Sequence, residues 1–152
     1  MTHLKEGMSA PSFSGKNQNG DIISLDNYKG KRIVLYFYPK DNTSGCTAEA
    51  CSLNDNYPDF FEKGIDIIGV SPDKETSHQK FIAKYGLQFN LIADIDHIIS
   101  TDYGVWGEKR MYGKSYMGIF RTTFVINEKG VIEKIFDKVD TKNHAGQILE
   151  VV

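Results

Sequence analysis

The stretch Ile33-Val34-Leu35-Tyr36-Phe37-Tyr38, followed by Pro39-Lys40-Asp41-Asn42-Thr43-Ser44-Gly45-Cys46-Thr47, decides how this chain is read. Six apolar or aromatic residues in a row suit a central strand covered on both faces. Pro39 cannot donate to a ladder and ends that strand. Asp41, Asn42, Thr43 and Ser44 are all N-cap types, and Ala48, Glu49, Ala50, Cys51 and Leu53 suit a helix. Cys46 is therefore expected within the first helical turn. Unpaired backbone amides and the positive end of the helix dipole meet there, and both favour a thiolate. Cysteines so placed fall from a pKa of about 8.5 to roughly 3.5–7.5, and the thiolate is the nucleophile.

Outward from this point, apolar runs alternate with helical patterns. Residues 66–70 and 90–93 read as further strands, and 74–85 carries Phe81, Ile82 and Tyr85 at helical spacing. Ser71-Pro72-Asp73 supplies cap chemistry at its start, and Gly86 a stop at its end. Residues 122–126 and 131–136 flank Asn127-Glu128-Lys129-Gly130 and predict a β-hairpin. From about Lys142, Ala145, Ile148, Leu149 and Val152 form one helical stripe. Ile22–Leu25 predicts a short strand. The expected fold is α/β, a mixed central sheet with helices on both faces, in a layout that suits a thioredoxin-like fold. No repeat or linker divides the chain, so residues 1–152 are expected to form one domain.

Composition narrows the function. The chain has 152 residues, 40% hydrophobic and 25% charged, with a net charge of -2. That balance argues against nucleic acid or an anionic membrane as the main partner, since phosphate binding needs an electropositive face. No apolar run is long enough for a signal peptide or a membrane span, which sets the expectation of a cytoplasmic protein. Two cysteines in a reducing compartment are a poor structural staple, so any pairing would be transient and chemical. The alternative is that both are small core residues, because free cysteine is among the most buried types. If both are helical, five residues of rise and rotation put their Cα atoms about 8–9 Å apart. A disulfide needs them within about 7 Å. A bond between them therefore requires the helix to unwind, here expected over about 46–56 with Pro58 marking the limit.

The string YPKDNTSGCTAEAC (38–51) resembles the active-site loop of the peroxiredoxins, most closely the bacterioferritin comigratory protein, or peroxiredoxin Q, group. Its pattern P-x-x-x-T-x-x-C is met by Pro39, Thr43 and Cys46. YGVWGEKRMYGKSYMGIFRTTFVI (103–126) is similar to the matching stretch of that group, with Arg121 just before a strand. The resemblance spans essentially the whole chain. It implies a thioredoxin-dependent peroxidase for hydrogen peroxide and organic hydroperoxides. Cys46 would be the peroxidatic cysteine and Cys51 the resolving one within the same helix. Thr43 would hydrogen-bond the thiolate or the peroxide, Arg121 would add positive charge beside the sulfur, and Pro39 would shield it from water. Glu49, one turn after Cys46, would orient Arg121. Cys46 would become a sulfenic acid, Cys51 would condense with it, and thioredoxin or a similar dithiol would restore both thiols. No metal, flavin or haem cofactor is implied, because the sulfur carries the electrons. No cysteine follows Cys51, so a monomer suffices. Relatives often carry proline where this chain has Ser44, which puts the stiffness of the helix start in question.

Other patterns carry less. Gly113-Lys114-Ser115 resembles the end of a phosphate loop, but Glu108 stands where that motif needs glycine. His3, His78, His97 and His144 are scattered without metal-ligand spacing, and His78 is expected as a half-buried packing residue. Lys29, Lys31 and Arg32 read as a solvated turn. Tyr103, Trp106, Tyr112, Tyr116 and Phe120 read as core and loop packing, or as an apolar wall near the sulfur or a partner surface. Taken alone, Arg121 would be a surface residue. A redox sensor using the same two cysteines is a competing function. A thioredoxin-type reductase is disfavoured because C-x-x-C is absent.

Overall fold

A computed structural model describes residues 2–152. Two short strands, β1 (Ser14–Lys16) and β2 (Ile22–Ser24), form a hairpin before β3 (Arg32–Phe37) enters the core. Helices α1 (Ser44–Asp55) and α2 (Tyr57–Glu62) lead to β4 (Ile65–Ser71). Helix α3 (Glu75–Tyr85), β5 (Asn90–Ala93) and α4 (Ile98–Asp102) follow. A second ribbon, β6 (Trp106–Met111) with β7 (Lys114–Ile119), precedes β8 (Thr122–Ile126), β9 (Ile132–Phe136) and the closing helix α5 (His144–Leu149).

The central sheet has the order β5-β4-β3-β8-β9. Strands β3, β4 and β5 run parallel, and β8 and β9 are antiparallel to their neighbours. Alternate residues of β3 serve two separate cores. Val34 and Tyr36 face a cluster with Cys46, Ala50 and Leu53 of α1, Phe60 of α2, Phe81 of α3, and Ala145 and Ile148 of α5. Ile33, Leu35 and Phe37 face the other side, with Ile99 of α4, Tyr103, Val105 and Phe124. This is the mixed sheet with helices on both faces that the hydrophobic runs imply.

Several local expectations change. The strand that begins at Ile22 ends at Ser24, and Leu25 opens a 3-10 turn. Ser71-Pro72-Asp73 does not cap α3. Lys74 is the N-cap residue, and Asp73 instead accepts from the Asp41 amide at 2.6 Å, which ties the loop before α1 to this turn. Gly86 closes α3 in the left-handed conformation (φ 63°) that glycine adopts without strain. Pro58 lies in the first turn of a separate helix, where its missing N–H is unneeded. The β6–β7 ribbon is not announced by period-two patterning, because most of it is exposed on both faces.

One close approach links the sheet to the chemistry above it. A Cβ on Gly69 of β4 would lie 2.6 Å from Leu91 Cδ2 and 2.9 Å from Tyr36 Cζ. Gly69→Ala is expected to cost about 1–3 kcal/mol through overpacking, read from urea unfolding at unchanged m-value.

Candidate active site

Thr43, in extended conformation, is the N-cap of α1, so Cys46 occupies the third helical position. The first intrahelical bond runs from the Thr47 amide to the Thr43 carbonyl at 2.8 Å. Amides before it, including that of Cys46, have no carbonyl one turn back. Cys46 is nearly inaccessible, at 1% exposure, and its thiol is free.

Arg121 reaches this sulfur from the short connection between β7 and β8. The Phe120 amide donates to the Val105 carbonyl at 2.7 Å, and the Thr122 hydroxyl to the Phe120 carbonyl at 2.8 Å, so the backbone on either side of Arg121 is fixed. Arg121 Nη2 donates to Cys46 Sγ at 3.4 Å, and Nη1 donates to Glu49 Oε1 at 2.6 Å. Glu49 is fully buried and Arg121 partly exposed. Burial pushes the Glu49 carboxyl up to about 7, against the lowering effect of Arg121. Desolvation lowers the Arg121 guanidinium pKa, but its interactions with Glu49 and Cys46, through charge and hydrogen bonds, raise it overall. Tyr36 lies beneath, its phenol held neutral by burial and by the negative charges of Glu49 and Cys46.

The residues proposed from the sequence are placed as follows. Cys46, Arg121 and Glu49 are brought together. Pro39 is half-buried in the loop leading to α1. Thr43 is exposed, and its hydroxyl donates to the Lys40 carbonyl at 2.9 Å. Its one hydrogen is thus committed, so it does not donate to the sulfur here. Cys51 is partly exposed on the same helix, its pKa raised by burial and then by Asp55, which keeps it a thiol. With both cysteines inside α1, their Cα atoms stay about 8–9 Å apart while the helix is intact.

Some neighbours were invisible to sequence spacing. Lys109 of β6 lies within electrostatic reach of Cys46 and Arg121, and burial followed by Arg121 lowers its pKa. His78 is wholly buried rather than half-buried. Its Nδ1 is 2.7 Å from Asp41 Oδ2 and its Nε2 3.0 Å from the Ile92 carbonyl. Asp41 also accepts from Ser77 Oγ (2.8 Å) and Tyr38 OH (2.6 Å), so a polar knot fixes the loop just ahead of Thr43. Arg32 is not free in solvent either, since it makes a two-pronged pair with Glu133 at 3.0 and 2.9 Å. The aromatic stretch divides: Tyr103 is core, Trp106 stacks on His97 at 3.7 Å, and Tyr112 is 96% exposed. A hollow of about 370 Å³ that includes Ile33 and Ile126 lies at the other end of β3 and takes no part in this site. Among the described residues no group of three or more His, Cys, Asp or Glu could hold a metal, and no helix is long and apolar enough to cross a membrane.

A thioredoxin-like sheet that presents a buried cysteine at a helix start, under a carboxylate-held arginine, defines a thiol peroxidase. Residues 7–135 match the AhpC/TSA family, and the chain belongs to it. It is 43% identical to Peroxiredoxin Bcp of Escherichia coli K12 over 149 residues, 98% of this chain and 96% of that one. It is similar in structure to Xylella fastidiosa PrxQ, solved as a cysteine-to-serine mutant, with a TM-score of 0.92 and 32% identity over 99% of this chain and 96% of that one. Xanthomonas campestris Bacterioferritin Comigratory Protein, described for its alkyl peroxide reduction activity, matches with a TM-score of 0.86 and 37% identity over 91% of this chain and 88% of that one. The chain is thus a peroxiredoxin-type peroxidase working through cysteine chemistry.

Gly45 tests the closeness of the guanidinium. A Cβ there would sit 3.3 Å from Arg121 Nη2. Gly45→Ala is expected to displace the guanidinium and slow Cys46 oxidation about tenfold in stopped-flow assays. Stability should hold or rise in the same variant, since alanine is the better helix former by about 1 kcal/mol.

Proposed function

We propose that this chain reduces hydrogen peroxide and organic hydroperoxides through a Cys46 sulfenic acid and an intramolecular Cys46–Cys51 disulfide, recycled by thioredoxin. One observation carries the reading: Arg121 Nη2 lies 3.4 Å from Cys46 Sγ at the open end of α1. A guanidinium and free amides there stabilise negative charge on the sulfur, and then on the oxygens as the O–O bond stretches. The thiolate attacks one peroxide oxygen. The S–O bond forms, the O–O bond breaks, and the leaving alkoxide or hydroxide takes a proton to depart as alcohol or water. Thr43, with its hydroxyl hydrogen given to Lys40, has lone pairs left to accept from the peroxide O–H. Pro39, half-buried in the loop leading to α1, limits water at the sulfur in this reading.

Resolution requires α1 to open. Cys51 then attacks the sulfenic sulfur, releasing water and forming the disulfide. The opening has a physical boundary. Leu53 is fully buried, Asn54 Nδ2 donates to the Gly86 carbonyl at 3.0 Å, and the Gln88 amide donates to Asn54 Oδ1 at 2.9 Å. The expected limit at Pro58 therefore moves forward, and unwinding runs from about residue 46 to 52. Organic hydroperoxides enter by similarity to the alkyl peroxide reduction described for the Xanthomonas protein. A dithiol such as thioredoxin reduces the disulfide by exchange. A monomer in the cytoplasm suffices for this cycle, without a nucleic-acid or membrane partner.

Peroxide consumption with a thioredoxin system should vanish in Cys46→Ser. Cys51→Ser should complete one turnover and stall. Steady turnover by Cys46→Ser overturns the assignment, and stoichiometric oxidation without turnover in the parent favours a sensor. Far-UV circular dichroism should show the oxidised protein losing about two helical turns, and equal helix content in both states refutes the opening of α1.

A further inference from the structure

Behind the Arg121–Glu49 pair lies a buried array that the peroxidase cycle does not use. Glu49 Oε2 is buried and has no hydrogen-bond partner. His144 Nε2 faces it at 3.7 Å, and both side chains are wholly inaccessible. The tautomer of His144 follows from its neighbours. Gln147 Nε2 donates to the Lys138 carbonyl, and Gln147 Oε1 accepts from the Asp140 amide at 2.9 Å. Oε1 is thus an acceptor, and His144 Nδ1, 2.8 Å from it, must carry a hydrogen. In the neutral ring Nε2 is then a lone pair, placed to accept from Thr123 Oγ1 at 2.8 Å.

That arrangement is incomplete. With Glu49 ionised and His144 neutral, Oε2 is left without a donor, because the Nε2 facing it at 3.7 Å carries no hydrogen and already accepts from Thr123 Oγ1. A buried carboxylate oxygen without a donor is costly. A hydrogen on Oε2 removes the uncompensated charge. Arg121 adds a second constraint, because its single positive charge lies between Glu49 at 2.6 Å and Cys46 at 3.4 Å. A thiolate and a carboxylate leave that trio with one excess negative charge, which a proton on the buried pair cancels. Once the sulfur is a neutral sulfenic acid or a disulfide, Arg121 and ionised Glu49 balance without it.

We propose that Glu49 holds one exchangeable proton, taken up when Cys46 is a thiolate and released when the sulfur loses its charge, with His144 acting as a positioning residue for the Glu49–Arg121 pair. The inference rests on the reading of Cys46 as the thiolate nucleophile. Burial raises Glu49 and lowers His144, so the proton resides on the carboxyl. The other groups facing the pair are Arg121 from the β7–β8 connection, Tyr36 from β3, Cys46 on α1 and Asp140 before α5, with Lys109 of β6 beyond Arg121. Tyr36 stays neutral.

Carboxyl 13C NMR of the reduced full-length protein reads this proton without turnover, so its failure and that of the peroxidase assay are separable. The Glu49 resonance, assigned by its loss in Glu49→Gln, should titrate near neutrality. In Cys46→Ser, where Arg121 has Glu49 as its one close anion, the midpoint should fall by about one pH unit. Equal midpoints in the two proteins overturn the linkage. In the parent, 15N NMR of His144 should show Nδ1 protonated throughout and Nε2 shifting in step with the carboxyl. An Nε2 signal indifferent to that titration overturns the role of His144 beside the carboxyl. In His144→Gln, where an amide donates to Oε2 but holds no proton, the carboxyl midpoint should again fall, and an unchanged midpoint counts equally against the role of His144.

Discussion

The rest of the site depends on one contact, the Arg121 guanidinium held between Cys46 and Glu49. A negative sulfur at 1% exposure has almost no water to solvate it. Its charge must be met by the protein, and the open amides of α1 supply only part of that. The guanidinium supplies the rest, and it can do so only if its own position is fixed. Glu49 fixes it from within the same helix, one turn after the cysteine. The cost is a carboxylate in a dry core, which is why its pKa is pushed up to about 7. The sheet contributes by placing α1 at the end of β3 and Arg121 at the start of β8, two neighbouring strands that run antiparallel. The C-terminal end of one strand and the N-terminal end of the other thus meet at a single edge.

Under the proposed cycle the same helix must be firm enough to hold this geometry and loose enough to let Cys51 reach Cys46. The contacts divide the work along its length. Ahead of it, Asp41 is tied to His78, Ser77, Tyr38 and, through its amide, Asp73. Behind Cys51, Leu53 and Asn54 are anchored to the core and to the turn after α3. Between these anchors Cys46, Glu49 and Ala50 are buried, Arg121 holds Glu49 and Cys46, and Ser52 Oγ accepts from the Ala145 amide at 3.1 Å, so opening has to release these contacts. A segment pinned at both ends can open and close again without the sheet taking part.

Much of this was legible in the chain. The unbroken apolar run at 33–38 marks a strand buried on both faces, because only such a strand lacks a polar side. Gly86 and the Asn127–Gly130 turn have local chemistry that needs no tertiary context. Cap residues mark Cys46, whereas Arg121 follows only from the resemblance, since an arginine before a strand has no periodic signature. His144, Lys109 and the Asp41–His78 knot were hidden for a different reason. Their partners lie tens of residues away, and burial of a polar side chain is decided by pairing that local pattern does not encode. The β6–β7 ribbon escaped because alternation signals one buried face, and this ribbon has most of both faces in solvent.

Ser44 sharpens the balance between firmness and opening. It occupies the first helical position, where a proline would arrive with its φ already set for the helix. Serine keeps a polar side chain at this end but leaves the unwound chain more freedom. That freedom favours the opened state by about 0.4–1 kcal/mol relative to proline, without altering a contact of the closed one. The substitution therefore acts on the equilibrium between attack and resolution rather than on attack itself. In the proposed cycle a larger opened fraction hastens capture of the sulfenic acid by Cys51 and shortens the time in which a second peroxide could oxidise it further. The loss of rigidity at the helix start is thus compatible with the site, because the guanidinium beside Cys46 is fixed by Glu49 and by the connection before β8, not by the residue at 44.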